Sequence, residues 1–369
     1  MKKVIALLLA LVMMFTMVAC GSETESPSDD NLGAQQSSSG SGEYTQTYNW
    51  NVAITFGGAS IRNIEAMLAE VTEKTNGRMQ FTVYPSNSLI TIPEYPDALR
   101  EGICDIGVVA SINYPSIFTY NAEIVGMPFT GMKDEYQAIE AWYALREKFP
   151  DEINKEWESV GAFPWFIYTT PGYHLLTING SNEIRTPDDL AGHKIMSGKT
   201  QILNLINAYG GAAIQAAPTV YYENLEKSVA EGVVSNYGVC NTFGALELMK
   251  SSTEFGTGAY YDIFFISISQ KSWDKLDPEV QQAFLEVNVE MRADLLEQKR
   301  SLEDNANAIA SLSGDFNKTA LSGDELQVWI DAMAPYNKAA LEEMTTTYKK
   351  DKAAEMYDYL LEWIAEQNG

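Results

Sequence analysis

The residues able to do chemistry are few. The chain has two histidines, His174 and His193, and three cysteines, Cys20, Cys104 and Cys240. Two imidazoles cannot build a histidine-rich metal site, and neither an HExxH helix nor a CxxC pair occurs. No G-x-S-x-G turn is present to raise a serine nucleophile. Gly198-Lys199-Thr200 has the ending of a phosphate-binding loop, but the glycine required five positions before Gly198 is His193, so the match reads as coincidence. The 50 acidic residues offer too many carboxylate pairs for spacing to single out a glycosidase pair. These residues predict no catalytic group, no metal and no cofactor, and point away from an enzyme.

Cys20 invites a different chemistry. Lys2 and Lys3 precede an uncharged apolar stretch over residues 4–18, which ends in Met17-Val18-Ala19-Cys20. A positive start, an apolar run and a small residue before a cysteine describe an export signal, and the ending resembles the lipobox of bacterial lipoproteins, with Met where Leu is commoner. Cys20 is then the lipid-modified first residue of the mature chain; an ordinary signal peptide with an incidental cysteine is the alternative. Several acyl chains anchor firmly where one holds weakly. The run is too short and too one-sidedly flanked for a stop-transfer helix. Residues 21–43 are Ser, Gly, Asp, Glu and Gln with almost nothing apolar, the composition of a flexible tether. The expected boundaries are a signal peptide at 1–19 and a lipidated cysteine with its tether at 20–45.

The formal charge of -25 argues against nucleic acid and against adhesion to anionic headgroups, so the membrane link expected is the lipid anchor. Cys104 and Cys240 sit in apolar stretches and read as buried free thiols, although two cysteines could pair.

Past the tether, residues 48–56 read as a strand and 60–75 as an amphipathic helix with Ile61, Ile64, Met67, Leu68 and Val71 on one face, stopped by Asn76-Gly77. A strand at 79–84, a short helix at 93–101 and an apolar strand at 103–110 complete an α/β unit with a largely parallel sheet. A second α/β block runs through strands near 162–169, 173–178, 193–196 and 213–217, helices at 201–209 and 221–230, and a strand after Gly232. Residues 260–270 are too apolar for a surface, and 278–312 form one long amphipathic pattern.

Several of these stretches, in order, resemble the DctP-type substrate-binding proteins of tripartite ATP-independent periplasmic (TRAP) transporters. Glu73-Lys74-Thr75-Asn76-Gly77-Arg78-Met79 with Tyr84-Pro85, Ala98-Leu99-Arg100-Glu101-Gly102 with Asp105-Ile106-Gly107, and Met127-Pro128-Phe129 look like three landmarks of that family. Residues 184–195, IRTPDDLAGHKI, match a fourth closely, and Gly232-Val233-Val234 and Ser272-Trp273-Asp274-Lys275-Leu276 two more. The resemblance runs from about residue 48 to the C-terminal helices. It implies a two-domain type II solute-binding fold with an interdomain cleft and a long domain-spanning helix, placed on residues 278–312. It also implies an extracytoplasmic receptor that delivers a small-molecule ligand to TRAP membrane subunits. A receptor serving a sensor kinase or another transporter, or an exported enzyme on the same scaffold, is the alternative. The expected domains are 46–170 plus 253–285, and 171–252 plus 286–369 with the C-terminal helices.

The ligand residues depart from the family pattern. The arginine that follows "KI" in relatives falls on Met196, a second arginine on Tyr173, and an asparagine on Val239. A buried carboxylate without its cation costs several kcal/mol, so the resemblance implies a ligand that is not held by the usual carboxylate clamp. Tyr173, Met196 and Tyr237 are candidates to line such a pocket, and Glu94 falls where relatives place a cleft acid. Arg62 is a candidate replacement cation, and Asn113-Tyr114 lies in a loop after a strand, where ligands meet open α/β sheets. Trp165, Phe166 and Tyr168, just before the expected crossing between domains, suit either a stack on the ligand or the core.

Overall fold

A computed structural model describes residues 46–54, 59–110, 113–180, 184–294 and 296–369, without the side chains of 59–63, 109, 293–294 and 296–301. The signal, Cys20, the tether and the side chain of Arg62 lie outside the described residues. Residues 45–369 form one compact unit.

The chain opens with β1 (Tyr48–Ile54), α1 (Ala59–Lys74), β2 (Met79–Tyr84), α2 (Tyr95–Glu101) and β3 (Ile106–Ala110). Ile64, Met67, Leu68 and Val71 bury the sheet side of α1 as their spacing predicts, and Asn76 and Gly77 stop it in the left-handed region, at φ 51° and 79°. The apolar run at 103–110 yields a shorter strand. Gly102, at φ 68°, caps α2 and the Ile103 N–H still returns to Ala98 O, so residue 103 belongs to the helix's closing turn and is exposed.

A π-helix (Thr119–Ile124) and two helices, α3 (Glu135–Lys148) and α4 (Pro150–Ser159), lead to β4 (Ala162–Thr169). The chain then builds β5 (His174–Thr177), β6 (Lys194–Ser197), α5 (Thr200–Ala208), β7 (Ala212–Gln215), α6 (Tyr221–Glu226), β8 (Gly232–Ser235), α7 (Tyr237–Thr242) and β9 (Ser251–Phe255). It returns through β10 (Ile263–Ser269) and α8 (Gln270–Trp273) to α9 (Pro278–Asp294), α10 (Leu296–Ala310), β11 (Asn317–Leu321), α11 (Asp324–Thr346) and α12 (Ala353–Asn368).

Two sheets result, ordered β2-β1-β3-β10-β4 and β11-β9-β5-β8-β6-β7. In the first, β1 pairs in parallel with β2 and β3, while β10 runs antiparallel between β3 and β4. In the second, β6 pairs in parallel with β7 and β8, and β5 runs antiparallel to β8 and β9. Alternating side chains separate two cores on the first sheet. Trp142, Trp157, Phe118 and Phe265 fill one with α3 and α4; Trp50, Ile64, Trp165 and Phe284 fill the other with α1 and α9.

The sheets are joined twice by chain outside the strands, at residues 170–173 and 256–262. These crossings pair with each other: Thr170 N–H donates to Asp262 O (3.0 Å), Tyr173 N–H to Tyr260 O (3.2 Å) and Ala259 N–H to Tyr173 O (2.8 Å). Gly172 and Gly258 meet where they pass. A Cβ on Gly172 would collide with Thr257 O and Gly258 Cα, and Gly258 also sits at φ 141°, so only glycine fits the pair.

The pattern over 278–312 is helical through α9 and through α10, with residue 295 outside the described residues. Both rest on α1 and β4, and α10 also reaches α7, where Gly238 N–H donates to Asn305 Oδ1 (2.9 Å). The helical span expected between the lobes is therefore present. Two expected boundaries cut across elements. β9 pairs within the second sheet, and α12 buries Met356, Leu360 and Ile364 in the first-lobe core around Trp142 and Trp157. Cys104 and Cys240 are free and lie in different cores; burial pushes each thiol up to about 12. Among the described residues no helix is long and apolar enough to cross a membrane, and no cluster of His, Cys, Asp and Glu could hold a metal.

Candidate ligand-binding site

The π-helix begins the site. A wide helical turn leaves backbone groups without their usual partners, and Glu156, 3% exposed, supplies the acceptors. Its carboxylate takes the N–H of Tyr120 (2.9 Å) and Asn121 (3.0 Å), the Asn121 amide (2.9 Å) and the Lys350 ammonium. Asn121 Oδ1 in turn accepts both indole N–H groups, from Trp142 (3.1 Å) and Trp157 (3.0 Å). This anchored turn presents Glu123 to the second lobe.

There Glu123 meets Lys199, from the loop between β6 and α5. Lys199 Nζ lies 2.8 Å from Glu123 Oε2, with side-chain exposures of 3% and 15%, and Gln201 Nε2 approaches the same oxygen at 3.5 Å. The Lys199 N–H donates to Ser197 Oγ (3.1 Å), which fixes the loop. Gly126 leaves the ammonium its room, since a Cβ there would stand 3.3 Å from Nζ and 2.7 Å from Ala122 O. A cavity of about 250 Å³ opens beside the pair. Thr119 and Glu123 line it from the first lobe, Lys199, Gln201, Asn204 and Gln215 from the second, and Tyr336, Met344 and Tyr348 from α11 and the turn after it.

Behind Lys199 the crossings hold a half-buried acid. Asp262 accepts the Tyr173 hydroxyl (2.7 Å), and the Tyr173 ring stacks on Tyr260 with centroids 4.4 Å apart. Burial raises the Asp262 carboxyl above its ordinary value, with Lys199 as the main counterweight. Lys199 Nζ stands 5.9 Å from the Tyr260 ring, so the cavity wall and the crossings share one cation.

Of the residues nominated by sequence, Tyr173 reaches this group. Met196 is fully buried in the second-lobe core, where its sulfur receives a weak 3.5 Å bond from Asn224. Tyr237 belongs to the same core, its hydroxyl held by Glu254 (2.6 Å) and Ser252 (2.8 Å). Val239 is half-buried in the first turn of α7, its N–H capped by Asn236 Oδ1 (2.8 Å). Glu94 is exposed and closes a capping box with Thr91; those hydrogen bonds hold its carboxyl below the usual range. Asn113 is exposed, whereas Tyr114 is buried against Phe118 with its hydroxyl donating to Ile92 O. Trp165, Phe166 and Tyr168 are core residues. Glu123, Lys199, Gln201 and Asp262 escaped sequence reasoning. In sequence Gly198-Lys199-Thr200 reads only as a phosphate-loop near miss, and the signal for Asp262 is that it is the lone acid in the apolar run 260–270.

The family model of bacterial extracellular solute-binding protein, family 7 (DctP) matches residues 59–344. The chain belongs to this family. A family 7 solute-binding protein works outside the cytoplasm, and this one has the two-domain α/β fold of TRAP periplasmic solute-binding proteins. A solute-binding protein of Albidiferax ferrireducens is 21% identical over 306 residues, covering 78% of this chain and 85% of that one. A TRAP solute-binding protein from Rhodoferax ferrireducens, in complex with copurified benzoate, superposes with a TM-score of 0.72 at 16% identity, over 88% of this chain and 100% of that one. Another, from a Sulfitobacter species with bound β-D-galacturonate, does so at 0.68 and 20% identity, over 84% and 99%. At such identities the structural likeness establishes the fold and leaves the ligand to this chain's own residues.

Proposed function

We propose that this family 7 protein is the lipid-anchored receptor of a TRAP-type secondary transporter. It closes its two lobes on a small solute, hands the solute to the membrane subunits, and is not an enzyme. The lipid on Cys20 and the tether through residue 45 would keep the receptor near those subunits. The observation that carries the reading is the paired crossings between two sheets, with a polar cavity bridging both lobes. Closure then follows from contacts that exist only when both lobes touch the solute.

The solute is not a simple organic acid. The position of the family arginine holds Met196, in the core, and the buried cation beside the cavity, Lys199, is already matched by Glu123. A carboxylate brought there would lack a counterion. A thermal-shift screen of the full chain in detergent, against organic acids, sugars, amines and aromatic metabolites, tests this. A neutral solute should give the largest stabilisation, about 2.7 kcal/mol when it is present at a hundred times its Kd. Dicarboxylates or sialic-acid-like acids giving the largest shift would overturn the reading of the ligand.

A further inference from the structure

We infer that Glu123 and Lys199 are the charge-selecting wall of the interlobe cavity, and that the solute taken there is a net-neutral, polyhydroxylated molecule of single-ring size. The inference rests on the proposed role in solute capture and adds the chemical class.

An ammonium has three donors. Lys199 gives one to Glu123 Oε2, and among the described residues no second acceptor and no donor to Glu123 Oε1 is recorded. A nearly dehydrated ammonium with spare donors, beside a carboxylate with a spare oxygen, forms an unfinished hydrogen-bond set. Both groups line the same cavity. Glu343 of α11 also lines the cavity but is exposed to solvent; in the part of the wall withdrawn from water the charges of Glu123 and Lys199 cancel, so a ligand bearing a net charge would leave one charge surplus there. Hydroxyl groups complete such a set from either side, accepting from Lys199 and donating to Glu123.

The remaining walls agree with this chemistry. Gln201, Asn204 and Gln215 offer donor and acceptor at once, as paired hydroxyls require. Tyr336, Met344 and Tyr348 face them with aromatic and apolar surface, suited to the C–H face of a sugar ring. The volume, about 250 Å³, falls just below the usual range of roughly 300–1,000 Å³ for ligand pockets, which limits the guest to one ring.

Three probes of one shape and different charge test the inference: D-glucose, D-glucuronate and D-glucosamine, titrated calorimetrically into the full chain in detergent. Glucose should bind, and each charged counterpart at least about tenfold more weakly. Glu123→Gln leaves Lys199 unopposed and should strengthen glucuronate by about tenfold over the parent, reversing the order; Lys199→Gln should do the same for glucosamine, and serves if the first variant does not fold. Glucuronate binding the parent as well as glucose does, or an order unchanged in both variants, overturns the inference, as does a parent that binds none of the three while neither variant gains a ligand. An organic acid that stabilises the parent and ignores both substitutions would remove this inference and leave solute capture standing. Failure of every solute in the wider screen would count against capture itself.

Discussion

Two buried lysine–glutamate pairs hold this protein's first lobe to other parts of the chain, and they are built differently. Glu156 and Lys350 close a finished set: the carboxylate also receives two backbone N–H groups and an asparagine amide, and the asparagine is itself held by two indoles. Glu123 and Lys199 are nearly as withdrawn from water, yet besides each other their hydrogen-bond contacts come down to a long approach from Gln201, with the Tyr260 ring 5.9 Å from the ammonium and an open cavity alongside. The first pair shapes a π-helix; the second is presented by it. A satisfied buried ion pair argues for architecture, and an unsatisfied one beside a void argues for a guest.

The sharpest test of that contrast is stability. Glu156→Gln puts an amide donor against N–H groups that need an acceptor, and should cost about 3–5 kcal/mol in urea denaturation, as breaking buried pairs does. Glu123→Gln should cost less, about 1–3 kcal/mol, because the adjoining cavity lets water solvate Lys199. Equal losses would erase the distinction.

A smaller effect separates a structural histidine from the site. His174 accepts the Phe255 N–H at Nδ1 (3.3 Å), and burial lowers it from 6.5 to about 4, against the pull of Glu254. Its neutral form is the one that folds, so its contribution is complete above pH 6.5 and is lost as pH falls from there toward 4. Thermal melts across that window should show the decline, and His174→Gln should flatten it.

The smallest effect belongs to Asp262, whose carboxyl is raised above 3.8 by burial. Its protonated form favours folding below the unfolded value, and that advantage disappears as pH rises through the folded one. Asp262→Asn should therefore be more stable than the parent near neutrality, by about 1 kcal/mol, with the difference vanishing in acid. A variant destabilised at every pH would place Asp262 with Glu156 as an obligatory anion.

Much of the scaffold was legible because periodicity and punctuation decide it locally. α1 follows from Ile64, Met67, Leu68 and Val71 and ends where Asn76-Gly77 says it should. β9 and β11 were not legible: Ser251-Ser252-Thr253 and Asn317-Lys318-Thr319 look like turns, and become strands through long-range pairing, β9 with β5 and β11, and β11 with β9 across some sixty residues.

The site was harder to read, for a physical reason. Its charges come from three distant stretches, around 123, 199 and 262, and nothing in the spacing of Tyr120, Asn121 and Glu123 announces a π-helix that needs Glu156 to exist. The family pattern pointed to Met196 and Val239, but this chain makes Met196 core and seats Val239 in a helix cap.

The meeting of Gly172 and Gly258 has a consequence for how the protein can evolve. Where two segments pass backbone against backbone, no pair of larger residues can be exchanged for the glycines by compensating each other, because both would need the same space. Substitutions can accumulate around the cavity and change what is carried. The pivot is closed to such drift, and its two most constrained positions have no side chain at all.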